Sequence, residues 1–249
     1  AIAAKMAAAR YNTAQHTIYD HYIYGIASDG DLMEGVSAEA ASLAGHLGLG
    51  NIIYFYDHNE ISIEGSTNLT FTEDRGKRFR AYGWQVIEID GHDTEAAAEA
   101  IEEAQADATR PALIMAHTHI GMGSPHKVDH AEVHGAPLGA EEVRATKERL
   151  NWPQEPTFYV PDAVRELFAQ RVAERKGEYE RWQAEYEAWG EANPDLAEAH
   201  EKARKGTLPD DLEEQLLDSL SGEPNATRRL SGEIIPTSPV SVPILGEDR

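Results

Sequence analysis

Cysteine is absent from the 249 residues, which excludes a disulfide framework and any thiolate-ligated metal centre. Basic residues are scarce: 22 Lys and Arg stand against 44 Asp and Glu, a formal net charge of −22. Counterion release from nucleic acid and attraction to anionic lipid both need Lys and Arg, so neither nucleic acid nor a membrane surface is an expected partner. The negative excess serves solubility instead. No apolar run approaches the roughly 20 residues that span a bilayer, and Ala1-Ile2-Ala3-Ala4-Lys5-Met6 lacks the apolar core of a secretory signal. A cytoplasmic setting is expected. The chain is nonetheless long enough to bury a substantial core in one or two domains.

Residues 1–12 read as the end of an alanine-rich helix, and a chain that opens in mid-helix reads as truncated. Strands are predicted over 22–28, 51–56, 85–90 and 111–116, and helices over 33–47, 71–82 and 94–106, the helix over 71–82 carrying a basic segment at 75–80. Strand-helix alternation of this kind predicts an α/β domain, a parallel sheet covered by helices. From about residue 140 the pattern turns helical, over 141–150, 163–189, 196–205 and 212–220. This predicts a C-terminal helical extension of the same domain, residues 141–225, after an α/β part over 1–140. Within it, Tyr179, Trp182, Tyr186 and Trp189 recur at helical spacing, which favours a stripe packed on the domain over a coiled coil. The Pro-rich stretch after Ile235 has no period and is expected to be irregular.

Two corners carry the chemistry. The first apolar run ends in Ser28-Asp29-Gly30-Asp31, the second in Tyr56-Asp57-His58-Asn59. Their separation of about 30 residues suits one strand-helix-strand unit. Such units are right-handed, so both corners open on the carboxyl edge of the sheet, where ligands bind in open α/β folds. Mg²⁺ takes oxygen ligands and retains phosphate oxygens among them. Asp29 offers a carboxylate, Asn59 an amide oxygen, and the chain just beyond Asn59 a carbonyl. Gly30 permits close backbone approach to a diphosphate, and the helix start that follows favours its charge. The plain alternative is that Asp-Gly and His-Asn are ordinary turn residues after strands. A third loop follows the fourth strand and holds His117, His119, His126, His130 and His134. It reads as a polar binding surface; zinc is an alternative that the irregular histidine spacing disfavours.

These residues together resemble transketolase. Asp29-Gly30 with Asn59 is similar to the thiamine diphosphate fingerprint, and four further stretches are similar to transketolase in particular: Asp31-Leu32-Met33-Glu34-Gly35, Ser42-Leu43-Ala44-Gly45-His46, Ile61-Ser62-Ile63-Glu64-Gly65 and His134-Gly135-Ala136-Pro137-Leu138. A 2-oxo acid dehydrogenase subunit shares the metal fingerprint but not the His134 loop. The resemblance runs from residue 1 to about 234 and implies thiamine diphosphate and Mg²⁺ as cofactors, with Ca²⁺ able to replace the metal. It implies Asp29, Asn59 and the Ile61 carbonyl as metal ligands, Gly30 and Asn59 as diphosphate contacts, and Ile63 packed on the cofactor rings. His134 corresponds to the catalytic histidine that meets both diphosphate and substrate, and Arg228 to the arginine that grips a sugar phosphate. Glu34 and Glu39 correspond to acids at the family's dimer interface, although a solvated helix face would also account for them.

The departures matter too. Ser28 stands where the fingerprint has its first glycine, a mild change if its φ is negative. The family's early histidines and its Gly-Pro-Leu-Gly-Gln-Gly loop find no match in these residues, so the domain is expected to lack its front edge. The pattern also stops near Ile235, and 226–249 is expected to be a linker toward an absent pyrimidine-binding domain. The expected function is ketol transfer between sugar phosphates, with this chain supplying the diphosphate and metal half-site as a homodimer or beside a complementary chain, and inactive by itself. The alternatives are one subunit of a split transketolase and a noncatalytic binding or assembly module.

Overall fold

Apolar runs with no polar face must be covered on both sides, and this fold covers both. The computed structural model describes residues 1–220, 222 and 224–235. In chain order they form α1 (Ile2–Tyr11), β1 (Ile23–Ser28), α2 (Asp29–Met33), α3 (Gly35–His46), β2 (Ile52–His58), β3 (Ile61–Ser62), β4 (Gly65–Ser66), α4 (Arg75–Ala81), β5 (Gln85–Asp90), α5 (Thr94–Ala106), β6 (Ala112–His117), α6 (Ala140–Arg149), α7 (Asp162–Ala192), α8 (Pro194–Lys205), α9 (Leu212–Asp218) and α10 (Thr227–Ile234). Two compact units result: Ala1 with His21–Leu167, and Ile2–Asp20 with the residues from Phe168 onward.

The first unit is an α/β layer structure around a four-stranded sheet in the order β1-β2-β6-β5. All its pairings are parallel. Successive side chains of a strand point to opposite faces, and β2 and β6 divide their residues accordingly. Ile52, Tyr56, Leu113 and Met115 join Ala41, Ala44, Phe79 and Trp84 on the face covered by α3 and α4. Ile53, Ala112 and Ile114 join Ala100 and Ala104 on the face covered by α5. The register pairs Ser28 with Asp57, His58 with His117, and Asp90 with His117. The carboxyl ends of all four strands therefore share one edge.

Local chemistry explains where the elements begin. The helix predicted over 33–47 starts earlier and breaks: the Ser28 N–H and hydroxyl both donate to Asp31 Oδ2, at 2.8 and 3.1 Å, which closes a single turn at Asp29. Glu34 is then extended (φ −68, ψ 131), and α3 restarts at Gly35. Ser28 itself has φ −118, so no glycine is required there. The helix predicted from residue 71 starts at Arg75 because Asp74 caps it, accepting from the Lys77 N–H at 2.8 Å. The loop predicted up to Gly65 contains the short antiparallel pair β3–β4. Helix α10 occupies residues read from sequence as linker, and the irregular stretch expected after Ile235 lies outside the described residues.

Helix α3 packs so closely on the turn after α4 that one glycine is obligatory. A Cβ on Gly45 would stand 1.8 Å from the Tyr82 carbonyl oxygen, and the neighbouring Trp84 indole N–H already donates to the Ala41 carbonyl at 2.8 Å. Backbone cannot yield as a side chain does. Gly45→Ala is therefore expected to lower stability by about 3 kcal/mol. The check is a lower denaturant midpoint at unchanged m-value.

The second unit is helical and centres on Tyr11, Ile18 and Trp189, with Tyr19, Tyr186, Leu196 and Ala197 packed around them. Trp189 is fully buried and donates its indole N–H to the Tyr11 carbonyl at 2.8 Å. His200 sits between two phenols, Tyr19 at 2.6 Å and Tyr186 at 3.1 Å, and burial lowers its pKa. The aromatic stripe of α7 is thus packed at its C-terminal end, whereas Tyr179 stands 59% exposed.

Candidate functional site

The carboxyl edge of the sheet brings the two sequence corners together. Asp29 follows β1 directly and is 1% exposed. Its Oδ2 accepts from the Glu60 N–H at 2.9 Å, which ties the first corner to the second. Glu60 adopts φ +60, a left-handed conformation that few non-glycine residues take. Asp29 Oδ1 accepts from the Tyr56 hydroxyl. Burial and that bond to a carboxylate push the Tyr56 phenol well above its ordinary range.

Beside this pair lies a buried guanidinium. Arg75 opens α4, and Phe79 one helical turn later points into the same core, so helix phase turns Arg75 inward too. Its Nη2 is 3.8 Å from Asp29 Oδ1. Nε donates to the Tyr56 oxygen at 3.1 Å, Nη1 to the carbonyls of Glu73 at 2.7 Å and Phe71 at 3.4 Å, and Nη2 to His58 Nε2. Arginine can only donate. His58 Nε2 must then accept, which leaves the ring neutral with its proton on Nδ1, and Nδ1 is buried with no protein partner. Burial first, and the Arg75 charge second, lower the His58 pKa, in keeping with a neutral ring.

Asn59 extends the second corner. Its Oδ1 accepts from the Ile61 N–H at 3.0 Å, and its Nδ2 donates to Asp57 Oδ2 at 3.2 Å. Asp57 in turn accepts from the Thr118 hydroxyl of the third loop. Asn59, Glu60 and Ile61 line a cavity of about 1030 Å³, closed on the far side by Asp90, His92 and His117–His119. The His119 N–H donates to His92 Nε2 at 2.9 Å, and the His119 ring reaches Asp129 at 2.9 Å. Lower in the loop, Glu142 accepts from the Ser124 hydroxyl and from the His126 N–H and ring, which hold its carboxyl down at about 2.

The residues singled out from sequence are therefore spread unevenly. Asp29 is tied through the Glu60 N–H to the loop of Asn59 and Ile61, and of the three only Asn59 and Ile61 line the cavity. Gly30 is exposed on α2 beside them. Ile63 is 69% exposed, and His134 is exposed at the end of the 3₁₀ turn Ala131–Val133; neither is among the residues that line the cavity. Glu34 and Glu39 are exposed at the start of α3 and along it. Arg228 is exposed on α10, in the second unit. Tyr56, His58 and Arg75 were not legible as site residues. Among the described residues no group of three His, Asp or Glu side chains could hold a metal. The Asp29–Asn59–Ile61 set is of a different kind: one carboxylate, one amide oxygen and one main-chain carbonyl. Those are hard oxygen donors that fit Mg²⁺ and leave coordination positions for anionic ligand oxygens.

Comparison with known proteins places this geometry. The family model for the thiamine diphosphate-binding domain of transketolase matches residues 1–209. The transketolase of Geobacillus stearothermophilus is 46% identical over 247 residues, covering 98% of this chain and 37% of that protein. Transketolase 2 of Escherichia coli K12 is 46% identical over 239 residues, covering 93% of this chain and 35% of the relative. The chain spans just over a third of the length of these curated relatives. Among solved structures, the Pichia stipitis transketolase in complex with sedoheptulose-7-phosphate superposes with a TM-score of 0.85 at 38% identity, covering 96% of this chain and 36% of that one. Leishmania mexicana transketolase also gives 0.85, at 36% identity and 95% and 35% coverage. The match of the domain model over residues 1–209, with a fold shared with solved transketolases, makes this chain a member of the transketolase family, carrying its thiamine diphosphate-binding domain.

Proposed function

We propose that this chain supplies the diphosphate and Mg²⁺ half-site of a cytoplasmic transketolase, which moves a two-carbon ketol unit between sugar phosphates. The observation that carries the reading is the junction at the sheet edge, where the Glu60 N–H holds the Asp29 carboxylate against the loop of Asn59 and Ile61. The P. stipitis relative bound to sedoheptulose-7-phosphate supports the substrate class.

On this reading Asp29, the Asn59 amide oxygen and the Ile61 carbonyl hold the metal, Mg²⁺ or Ca²⁺. Gly30 and Asn59 contact the diphosphate, and Ile63 packs on the cofactor rings. Thiamine diphosphate supplies, when bound, the carbon nucleophile and electron sink for carbon–carbon bond exchange. His134 handles a proton or stabilises oxyanion character at the substrate. The resemblance gives Arg228 the role of a sugar-phosphate contact. Glu34 and Glu39 belong to an interface with a second copy, or with a complementary chain that carries the pyrimidine-binding part.

Titration of the full chain with thiamine diphosphate, followed by calorimetry, tests the half-site. Saturable binding is expected with millimolar Mg²⁺ present and is expected to vanish in chelator. Metal-independent binding, or none in Mg²⁺, would sink the reading.

A further inference from the structure

The cation already facing Asp29 has a consequence for metal binding. Arg75 and Asp29 are a buried pair, 8% and 1% exposed. The guanidinium does not depend on Asp29 for its position: Tyr56, Glu73, Phe71 and His58 take its other hydrogen bonds. The Phe71 ring also lies 5.1 Å beneath it. A planar fork held at this many points is anchored independently of Asp29.

On the Mg²⁺ reading above, on which this inference rests, a dication bonded to Asp29 lies about 2.1 Å from a carboxylate oxygen. It would share that carboxylate with a guanidinium 3.8 Å from Oδ1. Two positive charges this close repel strongly in a buried setting. In the metal-free chain the same guanidinium compensates a carboxylate that would otherwise be buried unpaired. Both effects act in one direction: they stabilise the metal-free state and penalise the metal-bound one.

We propose that Arg75 is a resident counter-cation of the metal half-site, which neutralises Asp29 before metal arrives and holds the affinity for divalent metal low. Arg75 is on this view a positioning and affinity-setting residue, not a ligand. Orientation of Asp29 survives its removal, because Tyr56 and Glu60 still donate to the carboxylate.

The test is Mn²⁺ binding to the full chain and to Arg75→Met and Arg75→Lys, followed by the electron paramagnetic resonance signal of free Mn²⁺. Arg75→Met is expected to bind Mn²⁺ at least tenfold more tightly than the parent chain, and Arg75→Lys within threefold of it, because lysine retains the charge. The thermal midpoint of Arg75→Met should fall in chelator and recover in Mn²⁺, since binding to the folded state alone stabilises it. Equal or weaker Mn²⁺ binding by Arg75→Met overturns the proposal while leaving the half-site reading intact. A Met variant that stays unfolded in saturating Mn²⁺ overturns it too, because the metal must be able to take over the neutralising role. Absence of Mn²⁺ binding from both the parent chain and Arg75→Met removes the half-site reading, and this proposal with it.

Discussion

Asp29→Asn is expected to weaken Mn²⁺ or Mg²⁺ binding by more than 100-fold and to lower stability by about 3 kcal/mol. The substitution keeps the shape of the side chain and removes only charge and one acceptor. Asp29 takes the Tyr56 hydroxyl on Oδ1 and the Glu60 N–H on Oδ2. An asparagine has a single oxygen, so its amide N–H₂ must face one of those donors. Arg75 meanwhile loses the one carboxylate that lies within 4 Å of it among the described residues while remaining buried, and an uncompensated buried charge is among the costliest single-site defects. On the proposed reading the metal would also lose its one anionic protein ligand. Denaturant titration and Mn²⁺ titration on the same preparation measure the two effects. A variant that retains metal affinity within fivefold of the parent would show that Asp29 is not a ligand.

Trp189→Ala should cost about 3–5 kcal/mol, the range for deleting a large buried aromatic. The indole is fully buried. It meets the Tyr11 and His200 rings edge-on at 6.4 and 5.7 Å and stacks on Tyr186 at 5.4 Å. Removing it also strips the Tyr11 carbonyl of its indole donor, which ties the start of the chain to α7. Amides of α1 and α8 are expected to lose hydrogen-exchange protection first, because those helices pack on the vacated volume. Trp189→Phe separates the two contributions: it fills most of the volume, loses only the N–H, and should cost about 1–2 kcal/mol. Unchanged exchange in α1 after Trp189→Ala would mean that the helix is held by other contacts.

Much of the architecture is legible in the residues alone. Apolar runs and helical patterns locate β5 and α5 to the residue and the other main strands and helices to within a few, because both report local backbone geometry that packing then reinforces. The limits appear where a local signal competes with another. Asp74 and the Ser28–Asp31 pair are cap residues inside stretches that otherwise read as helix or loop, and the caps decided the helix starts. The sequence corners Asp29 and Asn59 were found because one strand-helix-strand crossover must bring them to the same edge. Arg75 was not, because nothing in the composition of the stretch Arg75, Lys77, Arg78, Arg80 distinguishes the buried Arg75 from the half-buried Arg78 or the exposed Lys77 and Arg80.

By itself, then, the sequence determined the α/β class and the pair of corners, which follow from spacing along the chain, and the family resemblance, which rests on the motif residues themselves. Only the tertiary structure decided which side chains meet at the corners: the Glu60 N–H on Asp29, the guanidinium of Arg75 on Tyr56 and His58, and the separate environments of the loop histidines. The reason is geometric. Spacing constrains which backbone positions share an edge or a face, whereas a contact across elements depends on helix phase and strand register, and those are set by how the whole core closes.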